Sequence, residues 1–348
     1  MVIIEFYCNN EDYATALKNT IGENATIDGT IVTVTFDEAV DSYSITNLSA
    51  QVRMDSLTVY TDEVNSINIS TASLSIGESL AMNYYVTTGA NLDDAVMYFT
   101  FNNETYPVDG ELQSDGRYVF TLNEIAPQYM GENIKAELKF GEFLLAVQEN
   151  YSVKTYAQNK LNDDESSTEL KQLLTDMLYY GVAAQTYKEK DNLSLGDIEN
   201  LLLSASTATP EDSDYVFALG NNLEVSSYPA YFTGANVWFD TVNKLAISFK
   251  LQDGADVNKV TATVQKDGEE ATTAVIDGNK IYSAGIYATD FATEYTFVLM
   301  YDGVVMQTLT YTVNTYAYQK RNSGNNLGEL VLALYRYGKS AEAYINAQ

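Results

Sequence analysis

This chain states one pattern twice. Residues 82–187 open on Met82-Asn-Tyr-Tyr-Val, pass through Tyr151-Ser-Val-Lys-Thr-Tyr-Ala and close on Tyr180-Gly-Val-Ala-Ala-Gln-Thr-Tyr. Residues 247–344 open on Ile247-Ser-Phe-Lys-Leu, pass through Tyr311-Thr-Val-Asn-Thr-Tyr-Ala and close on Tyr337-Gly-Lys-Ser-Ala-Glu-Ala-Tyr. Gly89 corresponds to Gly254, Tyr156 to Tyr316 and Gly181 to Gly338, and the spacing shortens slowly, as a few small loop deletions would make it. A tandem repeat constrains the fold to like modules placed in series. Chemistry done once has no use for two scaffolds, whereas avidity, reach and spacing do. The expectation is a binding or spacer protein.

Composition narrows the classes further. With 348 residues, 46% of them hydrophobic, the chain can bury a core in each of two or three domains. Its net charge of −29 repels nucleic acid and anionic membrane surfaces, because non-specific nucleic-acid binding is largely cation to phosphate. The charge also suits a soluble surface outside cells. There is no His, which removes Ser-His-Asp and Cys-His triads, His-ligated zinc and imidazole switches together. The single cysteine, Cys8, has no internal partner and reads as a small buried hydrophobe. No stretch reaches the roughly 18 consecutive apolar residues of a membrane span. Met1 is followed at once by Val-Ile-Ile-Glu, with no basic leader, and Val2–Tyr7 already looks like a strand. The chain therefore reads either as a piece of a longer secreted protein, which the start inside a strand favours, or as one that acts without a classical signal.

Each copy begins with strand signals. Residues 80–86 and 245–251 alternate apolar and less apolar positions, and Thr88-Gly89 and Asp253-Gly254 follow as turns. Residues 95–101 and 260–264 continue the pattern. Asp115-Gly116 and Asp277-Gly278 predict hairpins, as do Gly141-Glu142 between residues 134–140 and 143–147 and Asp302-Gly303 between residues 295–300 and 304–309. Six or seven short strands in about 80 residues predict a small antiparallel, Ig-like sandwich. The period then becomes helical. Ser166-x-x-Glu169 and Asn326-x-x-Glu329 have capping-box spacing. Leu170, Leu173, Leu174, Met177 and Leu178 share one helical face, as do Leu330, Val331 and Leu334. A Gly late in each helix, 181 or 338, predicts close approach of a neighbouring backbone.

The fold class expected is thus mainly β with α: tandem sandwiches, each followed by an α-helical hairpin, after a small N-terminal segment. Residues 1–66 show strands at 2–7, 30–36 and 43–60 with a short helix at 11–20, so this segment is either a small α+β domain or the end of a preceding module. Copy one occupies 67–208 and copy two 209–348. Residues 194–204 predict a short amphipathic helix between the copies, and residues 205–214, small, polar and acidic with Pro210, predict the main linker.

The stretch from Tyr151 to Tyr156-Ala, continued by Met177-Leu-Tyr-Tyr-Gly-Val-Ala-Ala-Gln-Thr-Tyr187 and Asp191-Asn-Leu193, resembles a repeat of large secreted or cell-surface proteins of gut Firmicutes. Copy one carries the resemblance over about 110 residues, whereas copy two keeps Gly338 and Tyr344 and loses the Ala-Ala-Gln core. The resemblance implies an extracellular accessory role beside carbohydrate-active or adhesive modules, and brings no site residues with it.

Tyrosine is the strongest composition signal, at 28 residues against 13 Phe and one Trp. The repeat-equivalent pairs Tyr151/Tyr311, Tyr156/Tyr316 and Tyr187/Tyr344 read as core. Aromatics found in one copy only are better ligand candidates, because tyrosine and tryptophan faces stack on sugars and fill interfaces. Tyr228, Tyr231 and Phe232, with Trp238 nearby, form the best such cluster, and packing at the module junction is its alternative role. The acidic loops at Asn162–Glu165, at Asn91–Asp94 and around Asp253, Asp256 and Asn258 offer oxygen ligands for structural calcium, but none has EF-hand spacing. No cofactor and no catalytic residue are expected. A glycosidase needs only two carboxylates across a cleft, yet no matched acidic pair recurs in both copies, and no phosphate loop or nucleophile elbow is present. The leading expectation is a non-enzymatic, extracellular surface protein that binds glycan or glycoprotein. The alternatives are a spacer within a larger secreted protein and a virion or appendage component.

Overall fold

The computed structural model describes residues 2–36, 43–46, 52–61, 67–88, 92–141, 143–188, 204–221 and 227–348. With 42% strand and 27% helix, the chain is mainly β, and the described residues form several small antiparallel sheets and five helices. It falls into two compact units, Met1–Asn68 with Thr88–Ala90, and Ile69–Thr87 with Asn91–Gln348.

The first unit runs β1 (Val2–Cys8), α1 (Glu11–Ile21), β2 (Ala25–Asp28), β3 (Ile31–Phe36) and β4 (Met54–Thr61). The sheet order is β2-β3-β1-β4, antiparallel throughout. Asn10 starts the helix by accepting from the Tyr13 amide, with Glu11 and Asp12 in the first turn. Gly22, at φ 89°, ends it. Ile4, Phe6 and Cys8 alternate onto the face that meets Ala14, Leu17, Val32 and Val34. Cys8 is the small core residue its surroundings in the sequence predicted. The segment forms an α+β fold, and β2 is the strand that periodicity missed.

In the second unit, copy one runs β5 (Asn68–Ile76), β6 (Leu80–Thr87), β7 (Ala95–Phe101), β8 (Glu104–Asp109), β9 (Glu111–Leu112), β10 (Tyr118–Ile125), β11 (Ile134–Phe140), β12 (Phe143–Tyr151), α2 (Val153–Leu161) and α3 (Thr168–Tyr187). Copy two runs β13 (Ala218–Gly220), β14 (Ala230–Trp238), β15 (Lys244–Leu251), β16 (Val260–Lys266), β17 (Thr272–Thr273), β18 (Val275–Asp277), β19 (Lys280–Tyr282), β20 (Tyr295–Tyr301), β21 (Val304–Tyr311), α4 (Val313–Lys320) and α5 (Leu327–Asn346). The sheets are β5-β6-β10-β9 and β12-β11-β7-β8 in copy one, and β14-β15-β19-β18 and β13-β21-β20-β16-β17 in copy two. Apart from β13, the order is the same strand for strand. Strict alternation drives this: in β7, Ala95, Met97, Phe99 and Phe101 are buried and their neighbours are not. The two sheets of copy one meet through Tyr84 of β6, whose ring lies 5.0 Å from Phe99 and 6.4 Å from Tyr151.

Ser152 and Thr312, at equivalent positions, cap α2 and α4 by accepting from the Thr155 and Thr315 amides. The two expected capping boxes do not form. Ser167, one residue later than expected, caps α3 through the Leu170 amide. Asn326 stands in the left-handed region at φ 63° and makes no side-chain cap, because a turn there needs positive φ more than α5 needs an acceptor.

Helices α3 and α5 pack on each other, each also resting on a 3-10 turn of its own copy, Pro127–Tyr129 or Ala288–Asp290. The rings of Tyr180 and Tyr337, repeat-equivalent residues, stack at 5.8 Å with 12° between planes. Like therefore meets like, as in a two-fold contact. Gly338 is needed here, since a Cβ would stand 2.5 Å from the Phe291 ring and 3.2 Å from the Ala288 carbonyl oxygen. Asp176 is fully buried between the copies and accepts from the Ser206 amide (2.7 Å), from Gln172 (3.1 Å) and from the Ser340 hydroxyl. The segment predicted as the linker is thus hydrogen-bonded down: Ala208 accepts from Arg336 at 3.0 Å, and Asp214 accepts from Tyr335 at 2.8 Å. The amphipathic helix expected at residues 194–204 lies, apart from Ser204, outside the described residues.

Candidate functional site

The four aromatics selected from the sequence occupy both ends of β14. Tyr228 is buried, and its hydroxyl donates to the Asn221 carbonyl at 2.7 Å. Tyr231 and Phe232 are half-buried where β14 begins. The Phe232 amide donates to the side chain of Gln307, a buried residue of β21, at 2.7 Å. That bond ties an edge strand of one sheet to the other sheet. Trp238 ends the strand, about 20 Å further on at ~3.3 Å per residue. The structure does not bring the four together.

Trp238 has a different set of neighbours. It is 44% exposed, the edge of the Tyr282 ring meets it at 6.2 Å and 88°, and the Lys280 ammonium lies 5.0 Å from its ring centre. The sheet order β14-β15-β19 sets this geometry. Ala246 of β15 pairs with both Asn236 and Tyr282, and it is buried although Leu245 and Ile247 on either side take the inward positions. A larger residue there would lift the aromatic pair off the sheet. The result is an outward-facing platform of indole and phenol with an ammonium, the exposed Asn236 amide and the exposed Asp277 carboxylate around it. Such a surface stacks on an apolar ring face and hydrogen-bonds the groups at its rim.

Among the described residues, the same sheet of copy one carries no such platform. Its outer face is a hydroxyl–amide ladder, in which Asn83 donates to Ser73 at 3.2 Å and Ser75 at 2.8 Å and accepts from Thr121 at 2.9 Å. Arg117 covers Tyr85 at 4.5 Å.

A second exposed aromatic group escaped the sequence reading. Tyr215 and Phe217, 43% and 44% exposed, stand 6.4 Å apart with nearly parallel rings, and Tyr318 lies 5.4 Å from Tyr215. The Tyr318 hydroxyl donates to Asp212 at 2.6 Å, and the Arg321 guanidinium covers its ring at 3.6 Å. The available signal was the spacing of two between Tyr215 and Phe217, just past a segment read only as linker.

The acidic loops are occupied with protein contacts. Asp163 accepts from Lys160 and from the Glu165 amide, each at 3.1 Å, and these donors hold its carboxyl below the usual range. Asp256 caps a 3-10 turn through the Asn258 amide, and Asp93 accepts from Tyr118 at 2.9 Å. Among the described residues, no group of three or more His, Cys, Asp or Glu is placed to hold a metal ion. No described helix is long and apolar enough to cross a membrane. No model of a known protein family matches this chain, and no curated protein matches it either.

Proposed function

We propose that this chain is a non-enzymatic, extracellular pair of Ig-like sandwich modules, each with a helical hairpin, that binds a glycan on a polysaccharide or glycoprotein. The observation that carries the reading is the Trp238 platform: the only Trp of the chain, exposed and flanked by Tyr282 and Lys280, on the outer face of a sheet. The resemblance of Tyr151–Tyr187 to repeats of secreted and cell-surface proteins of gut Firmicutes supports the setting, as does the net charge of −29. The ligand's ring face lies on the indole, and the side chains at its rim select the hydroxyl pattern.

The test is binding of the purified chain to mucins, plant polysaccharides and serum glycoproteins. Trp238→Ala should weaken binding to the recognised class about tenfold, since aromatic contacts contribute ~0.5–1.5 kcal/mol beyond area burial. Tyr231→Ala, distant on the strand, should leave affinity unchanged. Equal loss in both variants, or none in Trp238→Ala, removes the platform from the site. Absence of binding to every class leaves the spacer reading, which the Tyr180–Tyr337 contact and the docked linker favour because they fix the spacing of the two copies.

A further inference from the structure

The two copies also differ in the loop that follows their equivalent edge strands β5 and β14. In copy two, Phe239 follows β14 in the loop at residues 239–243, and its ring lies 6.2 Å from Tyr187 at the end of α3 and 6.0 Å from Tyr316 of α4. The repeat equivalents of Tyr187 and Tyr316 are Tyr344 and Tyr156. In copy one the corresponding loop is shorter, residues 77–79, and reads Gly-Glu-Ser with no aromatic. Tyr344 and Tyr156 there line an open pocket of about 220 Å³, walled by Ile76 of β5, Leu173 and Leu174 of α3 and Ile345 of α5. For one pair the burial follows the difference, since Tyr316 is 5% exposed and Tyr156 half-buried; in the other, Tyr187 stays 38% exposed beside Phe239 and Tyr344 is half-buried. Ile345, 56% exposed at the rim, is an apolar residue facing water, where copy one's own helix has Lys188.

We infer that the pocket between β5, α2, α3 and α5 is a binding site for an aromatic side chain, a phenylalanine presented on a turn by a partner polypeptide. The chemistry of the occupant is set by its counterpart, since the same two tyrosines in the other copy close on the ring of Phe239. The volume admits it: a cavity of about 150 Å³ with apolar walls holds benzene. A polypeptide is the source because Phe239 itself arrives on a turn, and because β5 is an edge strand of its sheet among the described residues, beside which an incoming backbone can lie. This site is separate from the Trp238 platform and does not depend on glycan binding.

The probe is an acetylated, amidated peptide with the sequence of residues 236–243, with a control in which its Phe is Ala. The readout is the methyl NMR signals of Ile76 and Ile345 in the full chain. The expected result is a saturable shift of both signals, at least tenfold weaker for the control. It should be lost in Thr289→Trp, which fills the pocket from its exposed rim, and in Ile345→Glu, with melting temperatures of both variants unchanged. The proposal is overturned by no saturable shift up to about 1 mM peptide, by equal shifts with the control, or by full binding in both variants. Shifts produced by free phenol but not by the peptide also overturn it, because the pocket then takes a small aromatic and not a partner chain.

Discussion

Gly338 shows how one position can be decided by a neighbour far away in sequence. Alanine would favour the helix by about 1 kcal/mol, yet its Cβ would press on the Phe291 ring and the Ala288 carbonyl. Overpacking costs about 1–3 kcal/mol, so Gly338→Ala should be net destabilising and lower the melting temperature by a few degrees, read by circular dichroism. The buried tyrosines set a pH limit by the same logic. Burial pushes the Tyr295 phenol from 10.0 up to about 12, and raises Tyr84, Tyr180, Tyr311 and Tyr337 as well. A phenol whose folded pKa lies above its unfolded value contributes stability that is complete below about pH 10 and lost as pH rises through the folded value. Above the gradual ionisation of the exposed tyrosines, tyrosinate absorbance should therefore show a cooperative step that starts above about pH 10 and coincides with loss of far-ultraviolet ellipticity. Full tyrosinate absorbance from all 28 tyrosines with no change in ellipticity would show that these phenols ionise in the folded chain.

At the scale of elements, the two copies protect one sheet edge differently. In copy two, β13 pairs with β21 through Ala218–Thr310, Leu219–Leu309 and Gly220–Thr308. Gly220 lets the strands lie close, since a Cβ there would stand against the Thr308 hydroxyl and force it to rotate. In copy one, β12 is the edge among the described residues, and its end is interrupted by a register shift opposite Ile134/Ala136, with Asn150 at φ 58°. A bulge of this kind discourages pairing with another chain. Gly220→Val should detach β13 and expose β21, seen as faster amide exchange at Thr308–Thr310 and concentration-dependent association. Much of this layer was legible in the sequence. The Asp-Gly turns, the alternation in β7 and the leucine face of α3 all predict their elements. The hydroxyl-rich β5 and the bulged β14 were not legible, because β5 fills most positions with Ser, Thr and Asn and the register shift between Phe232 and Gly234 breaks the alternation of β14.

For the whole molecule, the Tyr180–Tyr337 stack and buried Asp176 join both copies into one compact unit, while Cys8 lies in the core of the other. The chain carries a natural reporter for each. Burial, with Asp55 nearby, raises the Cys8 thiol, so it should react with thiol reagents only when its unit opens. Trp238 fluorescence follows the other unit. The two signals should give separate denaturant transitions, and Tyr180→Ala in copy one should shift the Trp238 transition in copy two to lower denaturant. An unmoved Trp238 transition would show that the copies unfold independently.

The sequence by itself determined the repeat, the turn positions, the inward residues of most strands and the exclusion of histidine chemistry, because these follow from local periodicity and composition. Only the tertiary structure decided which repeated tyrosines are core. Tyr311 and Tyr316 are buried, while Tyr151 and Tyr156 are partly open. Identical local sequence is blind to what packs against it, and burial depends on a partner such as Phe239, which only one copy possesses. The same holds for the candidate site: Trp238 could be picked as unusual, but Tyr282 and Lys280 became its neighbours through strand pairing across β15, a non-local contact.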